Sequence, residues 1–406
     1  MPLSPRNPDR SSDSVPPLAS SSSSEMRPRR GRTRAAVSAM ALVGLSATAG
    51  AVAWQRTRAY AEPARSPAPA AAMEMEMETP RASPAVTPPR VEDDDPEPVT
   101  LDDQLARLFR RMRTELGLDD EQMARVEAIF TASPVLSQGN PVITRHPMSR
   151  AECRRLRAEA GLTTIPSHDP RCGAPSMVPI FDPDAGQTAA EARVCIDQFE
   201  FPDIACEYPV VHVRANEAAA LCDAIGKRLC DAHEWEGACA GAVHDPGVEY
   251  EWPRPRMEAE WYHNHKREIV WSYGPRKHHA LCGTSSDRTP DCPGGGWNKC
   301  GSNTYPAGAF PECKSSFGAY DFHGNVAEHM SLPTSPEELG MRGEGGFTEM
   351  KGSWFVFSKI EPHLDDCRWR APKWHESRVR NENSHRNYHL GFRCCEDVEP
   401  APAGAP

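Results

Sequence analysis

Fourteen cysteines lie between Cys153 and Cys395 of this 406-residue chain, and none precedes Cys153. They must be either metal ligands or half-cystines, and spacing separates the two. Zinc sites gather close pairs such as C-x-x-C. Here the nearest neighbours are the adjacent Cys394 and Cys395 and two loose sets, Cys222/Cys230/Cys239 and Cys282/Cys292/Cys300/Cys313. No tetrad has zinc spacing, so the pattern predicts a disulfide framework. Such a framework forms in an oxidising compartment.

The N-terminus points the same way. Arg27, Arg29, Arg30, Arg32 and Arg34 precede an uncharged run over residues 35–54. Positive charge ahead of an apolar segment holds the N-terminus in the cytoplasm and sends the downstream chain across. The run is long enough to span a bilayer, yet it is mostly Ala, Gly, Ser and Val. If translation begins at Met26, Ala51-Val52-Ala53 offers a small-residue cleavage site. Membrane anchor and cleaved signal therefore both stand. Either makes the rest extracytoplasmic, periplasmic or secreted, and an uncleaved segment would tether it to the membrane. A net charge of -11 argues against nucleic acid or an anionic membrane surface as the main partner.

Residues 1–34 are Ser/Pro/Arg-rich and read as disordered. Residues 55–100 read as a semi-extended Pro/Ala/acidic linker, in which the Met-Glu alternation at 73–78 is a solvated tract rather than a soft-metal site. Over 101–176 a helical hairpin and a connecting segment are expected. Leu105, Leu108, Phe109, Met112 and Leu116 share one helical face closed by Gly117, and Met123, Val126, Ile129 and Phe130 mark a second helix starting near Asp119. The hairpin is expected to pack onto the domain after it. Cys153 and Cys172 bracket a polar, Pro-containing segment and suggest a local disulfide. A globular domain is expected over 177–398, where every Trp except Trp54 falls at or beyond Trp235, and a disordered tail over 399–406.

Three stretches carry more. Val194-Cys195-Ile196-Asp197 reads as a strand. A helix over 216–225 comes next, closed by Gly226, and then a helix opened by Asp231 with Glu234 three residues on, a capping box. The second stretch is Gly324-Asn325-Val326-Ala327-Glu328-His329. The third is Lys351-Gly352-Ser353-Trp354, with Gly391-Phe392-Arg393-Cys394 some forty residues on.

This ordered set resembles the formylglycine-generating enzyme (sulfatase-modifying factor) family, whose patterns include G-N-V-W-E-W, G-G-S-W and G-F-R-C. The resemblance implies an irregular, disulfide-bonded α+β fold with C-type-lectin-like features. It also implies two bridges, Cys222–Cys394 and Cys239–Cys367, with Cys282, Cys292, Cys300 and Cys313 left to staple a Gly-rich loop in an unspecified order. A structural calcium ion is implied at Asn325, Val326 and Glu328, hard oxygen ligands suited to that ion. The bland alternative is that Asn325 caps a turn and Glu328 pairs with a basic residue. His329 stands where the family has Trp.

The family oxidises a substrate cysteine using two thiols that bind copper(I), an ion that soft thiolates select. Those positions are Val356 and Glu361 here, neither a thiol, so copper and formylglycine formation are not expected and no catalytic residue is assigned. The expected function is a non-catalytic binding or scaffold module for an extended peptide or a glycan. The alternatives are an extracytoplasmic oxidoreductase with iron or copper chemistry that does not use cysteine and, third, a sulfatase activator with a rearranged site. The family's iron enzymes draw an H-x-x-x-H pair from a helical domain, and residues 101–130 contain no His. His263, His265, His278 and His279 resemble metal ligands but sit among Lys266, Arg267, Arg276 and Lys277, and they read as solvated loop residues. Glu361, with Pro362 and His363 after it, reads as an exposed turn. His375, His385 and His389 receive no role, and no nucleophile-elbow motif occurs.

Overall fold

The computed structural model describes residues 97–339, 341–371 and 377–398. The basic N-terminus, the apolar segment 35–54, most of the linker, the tail 399–406 and His375 lie outside these residues. Among the described residues no helix is long and apolar enough to cross a membrane.

Two helices open the described residues, α1 (Leu101–Glu115) and α2 (Asp120–Ala132). Thr100 caps the first by accepting the Asp103 N–H, and Asp119 and Gln122 form a capping box on the second. Leu108, Met112, Met123, Val126 and Phe130 are buried, and their core continues into Ala218, Leu221 and Ile225 of the domain. Polar contacts fix the same junction. Arg125 and Gln122 donate to the carbonyls of Ala224 (2.8 Å) and Ile225 (3.3 Å). Those are carbonyls that the end of a helix leaves unsatisfied.

Then come α3 (Arg150–Glu159), β1 (Met177–Ile180), β2 (Val194–Asp197), α4 (Ala215–Ala224), β3 (Arg228–Leu229), α5 (Ala232–Ala240), α6 (Pro246–Glu249) and α7 (Arg256–Lys266). Beyond a long irregular stretch lie β4 (Ala327–Leu332), β5 (Phe347–Lys351), β6 (Leu390–Phe392) and β7 (Cys394–Asp397). One antiparallel sheet has the order β1-β2-β7-β3. The other has the order β5-β4-β6, with β4 and β6 parallel and Glu328 opposite Gly391. The result is a mixed α and β domain in which short strands are joined by long loops.

All fourteen cysteines are consumed in seven disulfides. Cys394 and Cys395 are neighbours on β7, and neighbouring strand residues point to opposite faces. Cys394 therefore reaches Cys222 on α4, while Cys395 reaches Cys230 just past β3. Cys239 on α5 joins Cys367, and the irregular stretch is closed by Cys282–Cys313 with Cys292–Cys300 nested inside it.

The expected local bridge between Cys153 and Cys172 does not form. Cys153 lies on the inward stripe of α3 with Arg150 and Arg157, and meets Cys206. Cys172, after the Pro-containing segment, meets Cys195 on β2. The helix face turned Cys153 away from its sequence neighbour.

Candidate functional site

Strand β5 ends in a turn that sets the centre of the site. Gly352 adopts φ +73°, and a Cβ there would lie 2.7 Å from the Phe322 carbonyl oxygen, so only glycine fits. The turn aims Ser353 inward, where its Oγ accepts the Gly324 N–H (2.9 Å) and donates to Asp365 Oδ2 (3.2 Å). Trp354, Phe355, Val356 and Phe357 then fold back into a core shared with Trp369, Tyr388 and Leu390. Val356 is only 1 % exposed. It is a packing residue.

Asp365 gathers donors from three directions. Besides Ser353, it accepts from Trp271 Nε1 (3.2 Å) and His279 Nε2 (3.2 Å), and Lys277 Nζ lies 3.7 Å away. Burial alone would raise its pKa, but the His279 contact, the His323 field and the Trp271 contact outweigh that and hold the carboxyl below the ordinary range. The other nitrogen of His279 lies 3.3 Å from Glu361 Oε1, and Lys277 pairs with Glu361 at 2.8 Å. Glu361 is exposed, its side chain at 46 %, but it lies just past the turn at 355–359 and is not isolated. Glu361, His279, Asp365 and Ser353 form one polar string from surface to core, rimmed by the exposed Ile360 and Leu364. Such a string can bind polar groups through its hydroxyl, imidazole and carboxylates. Behind it His323 Nε2 accepts the Ser272 N–H (3.1 Å) and lies 3.4 Å from Cys239 Sγ, whose electrons are committed to its disulfide.

The other histidines separate. His263 is not a solvated loop residue. It is buried on α7, with Nε2 2.6 Å from the Arg368 carbonyl oxygen and 3.4 Å from Glu236. Burial, assisted by Arg370, pulls its pKa down to about 4. Glu236, Glu249 and His263 present ligand atoms close enough for a metal ion. However, Lys351 and Arg370 already hold Glu236 and Arg368 holds Glu249, so the two carboxylates are already charge-compensated. His265 stacks on the exposed Trp261, His278 is exposed, and His389 stacks on Trp354 (4.4 Å). His385 is partly buried and 3.4 Å from Asn387.

In the turn of Asn325, Val326 and Glu328, the side chain of Asn325 accepts the Tyr305 N–H at Oδ1 (2.8 Å) and donates to Glu200 (2.5 Å), which also accepts the Val326 N–H (3.0 Å). Burial, with Asp321 and Glu328 nearby, pushes the Glu200 carboxyl well above the ordinary range. Glu328 takes both prongs of the Arg393 guanidinium, each at 2.7 Å. Sequence reasoning assigned no role to Glu200, Lys277 or Asp365. Glu200 lies three residues past β2 and had no signal beyond following that strand, while Asp365 had none beyond lying two residues before Cys367.

A family model for the sulfatase-modifying factor enzyme 1-like domain matches residues 185–398, just over half of the chain. The chain belongs to this sulfatase-modifying factor family. Two curated relatives are both named inactive C-alpha-formylglycine-generating enzyme 2. The one from Bos taurus is 27% identical over 199 residues, covering 48% of this chain and 52% of the relative. The one from Mus musculus is 27% identical over 195 residues, covering 47% and 50%. The chain therefore spans about half the length of the curated relatives it matches.

Within the family frame, Val356 and Glu361 stand where the resemblance places the copper thiols. The residues present do not fit that ion: one position is core aliphatic, the other is a carboxylate paired to Lys277 and His279, and every cysteine sulfur is in a bridge. The Asn325/Glu328 turn does not fit calcium in this arrangement either. The ion takes six to eight oxygens, whereas here both Glu328 oxygens hold a guanidinium and Asn325 Oδ1 holds a backbone N–H.

Proposed function

We propose that this chain is an exported, non-catalytic member of the sulfatase-modifying factor family that uses the scaffold, with C-type-lectin-like features, to bind an extended peptide or a glycan. The observation that carries this reading is the pairing of Val356, packed in the core, with seven disulfides that leave no thiol for copper. The names of the two relatives support it, since both are called inactive. The oxidising compartment that fourteen paired cysteines need supports an extracytoplasmic location, reached through the segment 35–54 as anchor or cleaved signal. The polar string from Glu361 to Ser353, rimmed by Ile360 and Leu364, is the surface offered to the ligand.

The test is to purify the protein from an oxidising compartment, measure bound metals, and track oxygen consumption and cysteine mass on co-expression with a sulfatase. Substoichiometric iron and copper with an unmodified sulfatase cysteine are expected. One redox metal per chain would favour an oxidoreductase instead, and formylglycine in the sulfatase would refute the reading.

A further inference from the structure

A second cleft lies away from this polar string, where the N-terminal helices meet the domain. It has a volume of about 340 Å³ and is lined by Glu97, Pro98, Gln104, His146, Arg150 and Tyr208. Its floor is an aromatic stack. His146 lies flat on Tyr208 at 3.5 Å, and the Arg150 guanidinium covers the Tyr208 ring at 4.2 Å. Burial keeps His146 neutral, with its pKa pulled down to about 3.

Among the described residues of this lining, Arg150 is the one deeply buried cation, its side chain 3 % exposed. Its Nε donates to Glu207 (2.7 Å) and its Nη2 is 3.5 Å from Gln138 Oε1, both inside the protein. Glu207 is shared with Arg111 (3.0 Å), so it offsets Arg150 only in part. The remaining nitrogen, Nη1, faces the cleft and grips both carboxylate oxygens of Glu97 at 3.1 and 2.9 Å. A hydrogen bond between a guanidinium and a carboxylate is charge-assisted and stronger than a neutral one. Yet Glu97 is 55 % exposed, sits at the end of an acidic Pro-rich tract, and lines a cleft that stays open beside it.

We infer that this cleft is a carboxylate-recognition site for an extended acidic peptide, with Glu97 as a resident ligand that an external peptide displaces. Arg150 supplies the charge and the one outward nitrogen, Nη1, the His146–Tyr208 stack receives the flanking apolar atoms, and prolines on either side of a glutamate favour an extended ligand. Sequence cues alone do not reveal it, because Glu97, Arg150 and Tyr208 are far apart in the chain. The inference is independent of the proposed function, which concerns the string around Asp365.

A tethered ligand competes at a high effective concentration, so removing its charge should unmask the site. The probe is an acetylated, amidated Asp-Pro-Glu-Pro-Val peptide copying residues 95–99, titrated calorimetrically into the full chain, with a Gln-for-Glu peptide as control. Glu97→Gln should bind the probe at least about tenfold more tightly than the parent protein, and the control peptide should bind neither. Glu97 is half-exposed, so this variant folds. Arg150→Lys on the Glu97→Gln background should lose at least tenfold in affinity while its melting curve shows a folded protein. Equal affinity of Glu97→Gln and parent, or equal affinity for the Glu and Gln peptides, overturns the assignment. The control peptide keeps the inference refutable even if the Arg150 variant does not fold.

Discussion

Arg393 and Glu328 form a two-pronged ion pair in the centre of the domain, with both N–O distances 2.7 Å and neither side chain more than 1 % exposed. Arg393 lies directly between β6 and β7, and Glu328 is on β4, so the pair couples the two sheets. Burial raises the Glu328 carboxyl above its ordinary range, and Arg393 offsets only part of that. In a low-dielectric interior a guanidinium left without its carboxylate is far costlier than the intact pair is favourable.

Glu328→Gln should therefore lose about 3–5 kcal/mol of folding free energy, read from the urea midpoint at unchanged m-value. Because Glu328 already has a cation, adding calcium or chelator should leave the thermal midpoint of the parent protein unchanged. A calcium-dependent rise of several degrees would show that Arg393 can be displaced.

Cys222–Cys394 spans 172 residues of sequence. The chain-entropy model gives such a loop about 5 kcal/mol. Cys222→Ala with Cys394→Ala should lower stability by roughly that amount, whereas removing Cys292–Cys300, separated by 8 residues, should cost distinctly less. Denaturant melts of the two double variants make the comparison.

Acid should weaken the docking of α1. Glu207 has its pKa lowered to about 2, because Arg150 and Arg111 outweigh the burial that would raise it. A depressed carboxylate stabilises the fold above its unfolded pKa, and that stability is lost as pH falls through the folded value. The shift corresponds to about 3 kcal/mol, lost between roughly pH 4.5 and 2. The protection of α1 amides, taken relative to intrinsic exchange at each pH, should fall in that window, and Glu207→Gln should show low protection already at pH 7.

Buried neutral histidines act at milder pH. His263, His323 and His329 are each lowered to about 4, chiefly by burial. The unfolded chain takes up protons near pH 6.5 and the folded chain does not, so stability should fall as pH drops from about 6.5 through 4. His329→Gln should flatten that slope in a pH series of thermal melts.

The polar string separates a surface residue from a buried one. Glu361→Gln should change stability by less than about 1 kcal/mol, since exposed ion pairs contribute little. Asp365→Asn removes a buried charge that accepts from Trp271, His279 and Ser353, and should cost about 2–4 kcal/mol. Loss of ligand binding on Glu361→Gln without loss of stability would tie the string to recognition.

The sequence by itself determined the local and periodic features. The α1 face, the Asp231 capping box, the Gly226 turn at φ +88° and the β2 strand all depend on neighbours within a few residues, which composition and spacing record. The motif order pointed to the family and to the thiol positions held by Val356 and Glu361. Apart from Cys222–Cys394 and Cys239–Cys367, which the resemblance implied, the tertiary structure decided which residues meet across long separations. It turned Cys153 toward Cys206 rather than Cys172, because a helix presents one stripe to its neighbour. It took His263 into the core and drew His279 between Asp365 and Glu361, 86 and 82 residues further along the chain. It also gave Glu328 to Arg393. Pairing of charges is a matter of what remains unsatisfied when the core closes, and no spacing rule encodes that.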